Sequence, residues 1–251
     1  MSHLNRRTPG AVIGRCLAVL FVMSCANMAM AQSTIFNIPT TDTVAPKKAY
    51  AEFDYLVQVP GPDTPDTNRF QVFAPRIVVG VAPNLEAGAN FSFFHTGSTQ
   101  SLFQPNIKWK FAHSEMKGLA ASSGIIWYTP MNNRDVVVDS YGLVYANFSK
   151  KVMGKYGPRI TMGPYGIVGA DDNYVGTKAG AIIGWEQPLG AKVNVVADWF
   201  SGVSGFGYFT PGVSITLPHN GLFNAGYSLG NDSYNGNKNR ALFLYYGITF
   251  P

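Results

Sequence analysis

Between Ala49 and Phe250 apolar and polar positions alternate with a period of two, the spacing of strands that are greasy on one face. Ala51, Phe53, Tyr55, Val57 and Val59 alternate with Glu52, Asp54 and Gln58. Leu85, Ala87, Ala89, Phe91 and Phe93 alternate with Glu86, Gly88, Asn90 and Ser92. Ile107, Trp109 and Phe111 do so with Asn106, Lys108 and Lys110, and Val193, Val195, Ala197 and Trp199 with Lys192, Asn194 and Asp198. The pattern predicts twelve strands, over 49–59, 69–81, 85–94, 104–112, 118–129, 136–148, 158–169, 177–187, 191–200, 206–217, 221–230 and 240–250. Each approaches the length, about nine to eleven residues, that crosses a bilayer at a tilt. The last strand carries Leu242, Leu244, Tyr246, Ile248 and Phe250 on one side, and Phe243, Tyr245, Gly247 and Thr249 on the other. Such a strand needs hydrogen-bonding partners along both edges, and a closed barrel supplies both.

The connections alternate as well. Odd-numbered strands lead into polar links at 60–67, 97–101, 130–135, 170–176, 201–205 and 231–238. Most even-numbered strands lead into tighter turns at 82–84, 113–117, 187–190 and 218–221, although the link at 150–156 is longer and basic. Two unlike ends are expected of an all-β, transmembrane, antiparallel up-and-down barrel, and an even strand count puts both termini at one end, the periplasmic one in an outer membrane. A soluble exported sandwich would also have short strands and Gly-rich turns, but it would expose a polar face. Here the apolar face recurs in nearly every strand. It carries Tyr55, Phe93, Trp127, Trp185, Trp199 and Phe250 near strand ends, as the two interfacial girdles of a membrane barrel require.

The first 31 residues read as an export signal. Arg6, Arg7 and Arg15 precede the apolar run 17–23, and Ala29-Met-Ala31 forms a small-x-small site with cleavage expected before Gln32. A lipoprotein signal ending at Cys25 fits more loosely, and the apolar run is short for an uncleaved anchor. Cys16 and Cys25 both leave with the signal, so the mature chain is expected to have no disulfide and no thiolate site. Without the three arginines the 19 basic residues become 16, against 14 acidic ones. The basic balance therefore belongs largely to the leader, and no nucleic-acid partner is expected. After the signal no apolar run approaches a membrane helix in length, so a membrane-spanning chain would have to cross as strands.

With Phe250 near the carboxyl end, the alternating strands, and connections such as Ala82-Pro-Asn-Leu85 and Leu217-Pro-His-Asn-Gly221, nearly the whole mature chain resembles the bacterial outer-membrane β-barrels, in a small porin-like class. The resemblance implies an integral outer-membrane protein surrounded by outer-membrane lipids and lipopolysaccharide. It also implies that the assembly machinery engages the terminal aromatic strand. Pro251 behind Phe250 departs from the usual free aromatic terminus. The resulting division is a signal peptide at 1–31, a periplasmic lead-in at 32–48 and the barrel at 49–251, with entry of 32–46 into the lumen left open as an alternative.

If the apolar faces meet lipid, the opposite faces define the lumen. That places Glu52, Asp54, Arg76, Glu86, Lys108, Lys110, Lys178, Glu186, Lys192 and Asp198 as lumen-lining candidates. Such charges must pair or stay hydrated, so either a wet passage or a salt-bridged plug is allowed. Bulky residues on the second faces, assigned as Val144, Phe148, Ile182, Phe200, Phe243 and Tyr245, argue against a wide pore, while Gly88, Gly142, Gly163, Gly180 and Gly184 leave room. The leading expectation is a channel passing small polar solutes by diffusion. The alternatives are an accessory barrel that binds other envelope proteins and an outer-membrane lipid hydrolase. For the last, His95 before Thr96-Gly-Ser98 is suitably placed, but no G-x-S-x-G elbow accompanies it, and catalysis is not expected. His113 and His219 fall in turns, and Asp171-Asp172-Asn173 and Asn231-Asp232 lack the ligand spacing of a calcium loop. No metal and no cofactor are expected.

Overall fold

The computed structural model describes residues 33–59, 69–96, 98–132, 140–171, 176–231 and 240–251. Its twelve strands are β1 (Ala49–Gln58), β2 (Gln71–Ala82), β3 (Leu85–Thr96), β4 (Ser98–Ser114), β5 (Leu119–Pro130), β6 (Tyr141–Lys151), β7 (Arg159–Val168), β8 (Ala179–Pro188), β9 (Val193–Phe200), β10 (Tyr208–Leu217), β11 (Gly221–Gly230) and β12 (Arg240–Phe250). Each pairs with its sequence neighbours, and β1 pairs with β12 to close the ring. The closing register runs antiparallel from Ala49 opposite Phe250 to Gln58 opposite Ala241. The barrel strand thus begins and ends at the same rim, as an even count demands.

The strand boundaries follow the alternation closely, with two local departures. The link expected at 97–101 is mostly strand: β3 and β4 pair out to Thr96 opposite Ser98, forming a long hairpin. The strand expected from 136 is described from Tyr141, and 136–139 lie outside the described residues, as do the links centred on 60–67, 172–175 and 232–238. At the opposite rim the turns are tight. Asn84, His219 and Asn220 adopt positive φ of 64°, 58° and 59°, the backbone geometry of short hairpin connections.

One face of each strand is exposed and apolar around the whole ring, including Phe53, Ile77, Phe91, Ile107, Met162, Ile183, Val213 and Tyr246. Tyr55, Phe93, Trp127 and Trp199 lie on this outer wall toward one rim, and Trp185 and Phe250 toward the other, where Trp109 joins them. The inner face is buried and holds Glu52, Arg76, Glu86, Lys108, Asn147, Thr161, Asp198, Thr210 and Asn224. In β6 the faces are reversed from expectation. Phe148 points outward and is exposed, while Leu143, Tyr145, Asn147 and Ser149 are buried inside. Both faces of this strand carry bulky apolar residues, so hydrophobicity alone did not fix which side met lipid.

An outer wall that meets hydrocarbon should tolerate charge worst at mid-strand. Phe53 lies midway along β1, between Tyr246 and Pro75 on the flanking strands. Phe53→Arg should therefore lower the free energy of folding into lipid vesicles by about 2–4 kcal/mol, with Tyr55→Arg, nearer a rim, costing less. Denaturant titration of the vesicle-inserted protein measures both.

Candidate functional site

The lumen is occupied by the chain itself. The segment read as a periplasmic lead-in, with entry into the lumen as the alternative, folds inward: Ser33, Thr34, Ile35, Phe36, Ile38, Thr40, Thr41, Thr43 and Val44 are all buried. It crosses the rim beside β2, where Lys47 N–H donates to the Gly80 carbonyl at 3.1 Å and Gly80 N–H to the Lys48 carbonyl at 3.0 Å. Gly80 is required by this crossing, because a Cβ there would sit 2.1 Å from the Ala45 carbonyl oxygen. Deeper in, the arm turns back on itself. Thr40 N–H donates to the Ser33 carbonyl at 3.0 Å and Ile35 N–H to the Ile38 carbonyl at 3.1 Å.

An arm with so short a turn leaves backbone donors and acceptors without strand partners, and luminal side chains satisfy them. Asp198 of β9 is the main anchor: its Oδ2 accepts the N–H groups of Phe36, Asn37 and Ile38 at 3.0, 2.6 and 3.1 Å. Asn224 donates to the Ile35 carbonyl at 3.1 Å, and Asn147 donates to the Pro39 carbonyl at 2.5 Å. Asn37 reaches Thr210 at 3.1 Å, and Thr41 shares a hydroxyl contact of 2.7 Å with Ser149. The apolar side chains of the arm sit on glycines. A Cβ on Gly184 would fall 2.5 Å from Ile35 and 2.6 Å from Ile38, and one on Gly212 or Gly226 would fall 2.6 Å from Phe36.

Charge is organised around the same arm. Lys108 and Glu86, 3% and 1% exposed, pair at 2.9 Å across the β3–β4 ladder. Glu86 also accepts Ser33 Oγ and the Val44 N–H, each at 2.7 Å, while Lys108 donates to the Ser33 carbonyl at 3.2 Å. Arg76 pairs with Glu52 at 3.4 Å and donates to Ser33 Oγ at 3.0 Å and Thr34 Oγ1 at 3.2 Å. Tyr50 donates to the other Glu52 oxygen at 2.5 Å. On β7, Arg159 bridges Asp42 of the arm and Glu186 of β8. Burying these groups in pairs limits the desolvation cost that an isolated charge would carry.

Of the expected lining residues, Glu52, Asp54, Arg76, Glu86, Lys108, Glu186 and Asp198 face this interior, and Lys110 is half-buried near its rim. Lys178 and Lys192 do not belong to it. Each precedes the first residue of its strand and is exposed, because the strands begin later than their alternation suggested. Arg159 was missed, although it shares the inward parity of Thr161 on β7. The sequence leaves the arm's place open between periplasm and lumen, because the arm has no period to read. Asn231, considered above for a cation turn, instead donates its amide to the Phe200 and Gly202 carbonyls at 2.7 and 2.9 Å.

The loop so pinned narrows the lumen near the rim remote from the arm's entry. Phe206 packs edge-on against Tyr128, with ring centroids 5.4 Å apart, and lies 5.4 Å from Phe200. Tyr128 stacks on Tyr141 at 4.8 Å and 9°. Beside the arm the interior keeps buried polar atoms with no protein hydrogen bond: Ser122 Oγ, Thr161 Oγ1, Ser214 Oγ, Asn147 Oδ1, Asn224 Oδ1 and Asp198 Oδ1. Buried groups of this kind are ordinarily satisfied by water.

An outer membrane channel from Pseudomonas putida F1 is similar in structure, with a TM-score of 0.55 and 12% identity over 83% of this chain and 96% of that one. The chain folds as an outer-membrane β-barrel. Outer membrane phospholipase A from Escherichia coli superposes with a TM-score of 0.49 and 13% identity, covering 88% of this chain and 95% of that one. No protein-family model matches the chain, and no curated protein matches its sequence. His95, the residue considered for lipid hydrolysis, is exposed at the β3–β4 hairpin with its Nδ1 3.0 Å from Thr99 Oγ1.

Two outcomes follow for the arm. Asp198→Ala removes the shared acceptor of three N–H groups, and hydrogen bonds to a charged group are worth about 1.5–3 kcal/mol each. Amide exchange at Phe36, Asn37 and Ile38 should accelerate at least about tenfold. The Asp42 attachment should be acid-sensitive. Burial alone would raise the Asp42 carboxyl, but Arg159 beside it, helped by Lys110 and Lys108, holds it below the ordinary 3.8. A depressed carboxyl stabilises above its unfolded value and loses that contribution as pH falls through the folded one. Exchange protection around Asp42 should thus persist through the ordinary carboxylate range and fall below it, and Asp42→Asn should abolish that step.

Proposed function

We propose that this protein is an outer-membrane channel for small polar solutes whose lumen is closed by its own arm, residues 33–44. The observation that carries the reading is the polarity of the interior beyond what the arm uses. A barrel built only to be filled could close its interior with the side chains of its own strands, as small barrels do. This one presents Ser122, Thr161, Ser214 and the second oxygen of Asp198 to the interior without protein partners. Water satisfies such groups wherever the arm does not, and with the arm withdrawn they line a hydrated path. The mixed charges of Glu52, Asp54, Arg76 and Lys108 favour neutral or zwitterionic solutes over a strong preference for either ion sign.

On this reading the signal 1–31 is removed after Ala31, so that the arm is the amino-terminal segment of the mature chain. Both termini face the periplasm, and solutes diffuse along the axis when the arm withdraws. The aromatic group around Phe206 then sets the narrowest remaining section, since it is held by the Asn231 amide and not by the arm.

Planar-bilayer recording tests this directly. The full mature chain should conduct rarely, in brief steps, and a variant lacking 33–42 should show long-lived openings of larger amplitude. Neutralising Lys108 in that variant should change the step size. Absence of conductance and of solute flux from both proteins, with the barrel folded, would sink the channel and favour an accessory barrel that binds another envelope protein.

A further inference from the structure

The rim where the arm enters carries a charge pattern that the lumen does not use. Lys47, Lys48, Lys117, Lys150, Lys151, Lys155 and Lys192 all lie at this end, and among the described residues there Glu115 is the sole exposed acidic side chain. Large apolar side chains are interleaved with them in the turns. Met116 is 88% exposed, Leu189 63% and Met153 61%, with Val152 and Tyr156 also exposed. Turns facing only water have no use for so much apolar surface. Alternating lysine and apolar residues suit a headgroup boundary, where apolar tips enter the acyl region and lysine stems rise to the phosphates.

One part of this rim is shaped as well as charged. The register shift between Trp109 and Ala112 bends the β4–β5 hairpin. Beside the bend, a cleft of about 470 Å³ opens along β4, β5 and β6, bounded by Phe111, Leu119, Ala121, Phe148, Ser114 and Lys117. Phe111, Leu119 and Phe148 are all exposed, on the wall that meets hydrocarbon. Lys150 pairs across the ladder with Leu119, and its Nζ donates to the Lys117 carbonyl at 2.5 Å, which holds its ammonium at the same end of the cleft as Lys117. Neither lysine has a carboxylate partner among the described residues.

We propose that this cleft binds an anionic phospholipid of the adjacent leaflet. An acyl chain lies along Phe111, Leu119 and Phe148, and the phosphate meets Lys117 and Lys150. The hydrocarbon groove and the paired ammonium groups at its rim end match the two halves of such a lipid. The inference is independent of whether the lumen conducts.

Native mass spectrometry of the folded mature barrel in mild detergent tests it, using phosphatidylglycerol and phosphatidylcholine with identical acyl chains. Phosphatidylglycerol should be retained preferentially. The preference should fall about fivefold for each lysine neutralised in Lys117→Gln and Lys150→Gln, and Lys178→Gln, at the other rim, should leave it unchanged. Phe148→Ala should weaken retention of the lipid, and inorganic phosphate at equal concentration should not displace it. On the unsubstituted protein, about 1 M salt should erase the preference, because screening then acts within about 3 Å. That arm stands even if a variant fails to fold. Equal retention of the two lipids, a preference that survives both glutamines, or displacement by inorganic phosphate (a bare anion site) would each overturn the proposal.

Discussion

Everything in this molecule follows from the pairing of β1 with β12. In hydrocarbon an unpaired backbone N–H or C=O costs several kcal/mol, so a sheet can stand there only if it has no edge. The register from Ala49 opposite Phe250 to Gln58 opposite Ala241 removes the last edge. Closure also divides the side chains into two sets, because alternate residues of a closed sheet must point to lipid or to the axis. Phe53, Tyr55 and Leu244 take one environment, and Glu52, Asp54 and Tyr245 the other, with no intermediate place.

The interior set then presents its own constraint. Five acidic strand residues face the axis, Glu52, Asp54, Glu86, Glu186 and Asp198, and the basic residues facing it cannot lie opposite every one of them. Lys108 answers Glu86 across a neighbouring strand, and Arg76 answers Glu52. Among the described residues Asp198 has no cationic partner of this kind. Three backbone N–H groups at the bend of the arm take that place, a concave donor set that suits an anion. The arm therefore completes the electrostatics of the lumen, and the lumen in return satisfies an arm too irregular to satisfy itself.

This reciprocity explains what could be read from the chain and what could not. Strand number, order and outer wall were legible because lipid imposes a period of two, and Ile107-Lys108-Trp109 shows it without any partner in view. The facing of β6 was not legible, because Val144 and Phe148 outside alternate with Leu143 and Tyr145 inside, and hydropathy is similar on both sides. Lys178 and Lys192 were placed inside by parity although the strands had not yet begun there. The arm obeys no period at all. Its conformation is set by side chains as distant in sequence as Asp198 and Asn224, and nothing within 33–44 announces them.

The same contacts indicate which of them governs how firmly the lumen is closed. Exchanging a neutral protein hydrogen bond for one to water changes free energy by only about 0.5–1.5 kcal/mol, so the attachments to Asn147, Asn224 and Ser149 are readily replaced in a wet lumen, while the bonds to the Asp198 carboxylate hold more firmly. The apolar side chains have no such substitute. Burying an Ile or Phe side chain is worth about 1.5–3 kcal/mol, and Ile35, Ile38 and Phe36 must leave together because they share one bend. Their sockets exist only because Gly184, Gly212 and Gly226 carry no side chain. The neutral polar contacts thus select where the arm sits and in which register, while the Asp198 anchor and three apolar residues on three glycines decide how long it stays. A methyl group on Gly226 would act on closure directly, since its nearest neighbours would be the ring of Phe36 at 2.6 Å and the methyl of Thr210 at 2.9 Å.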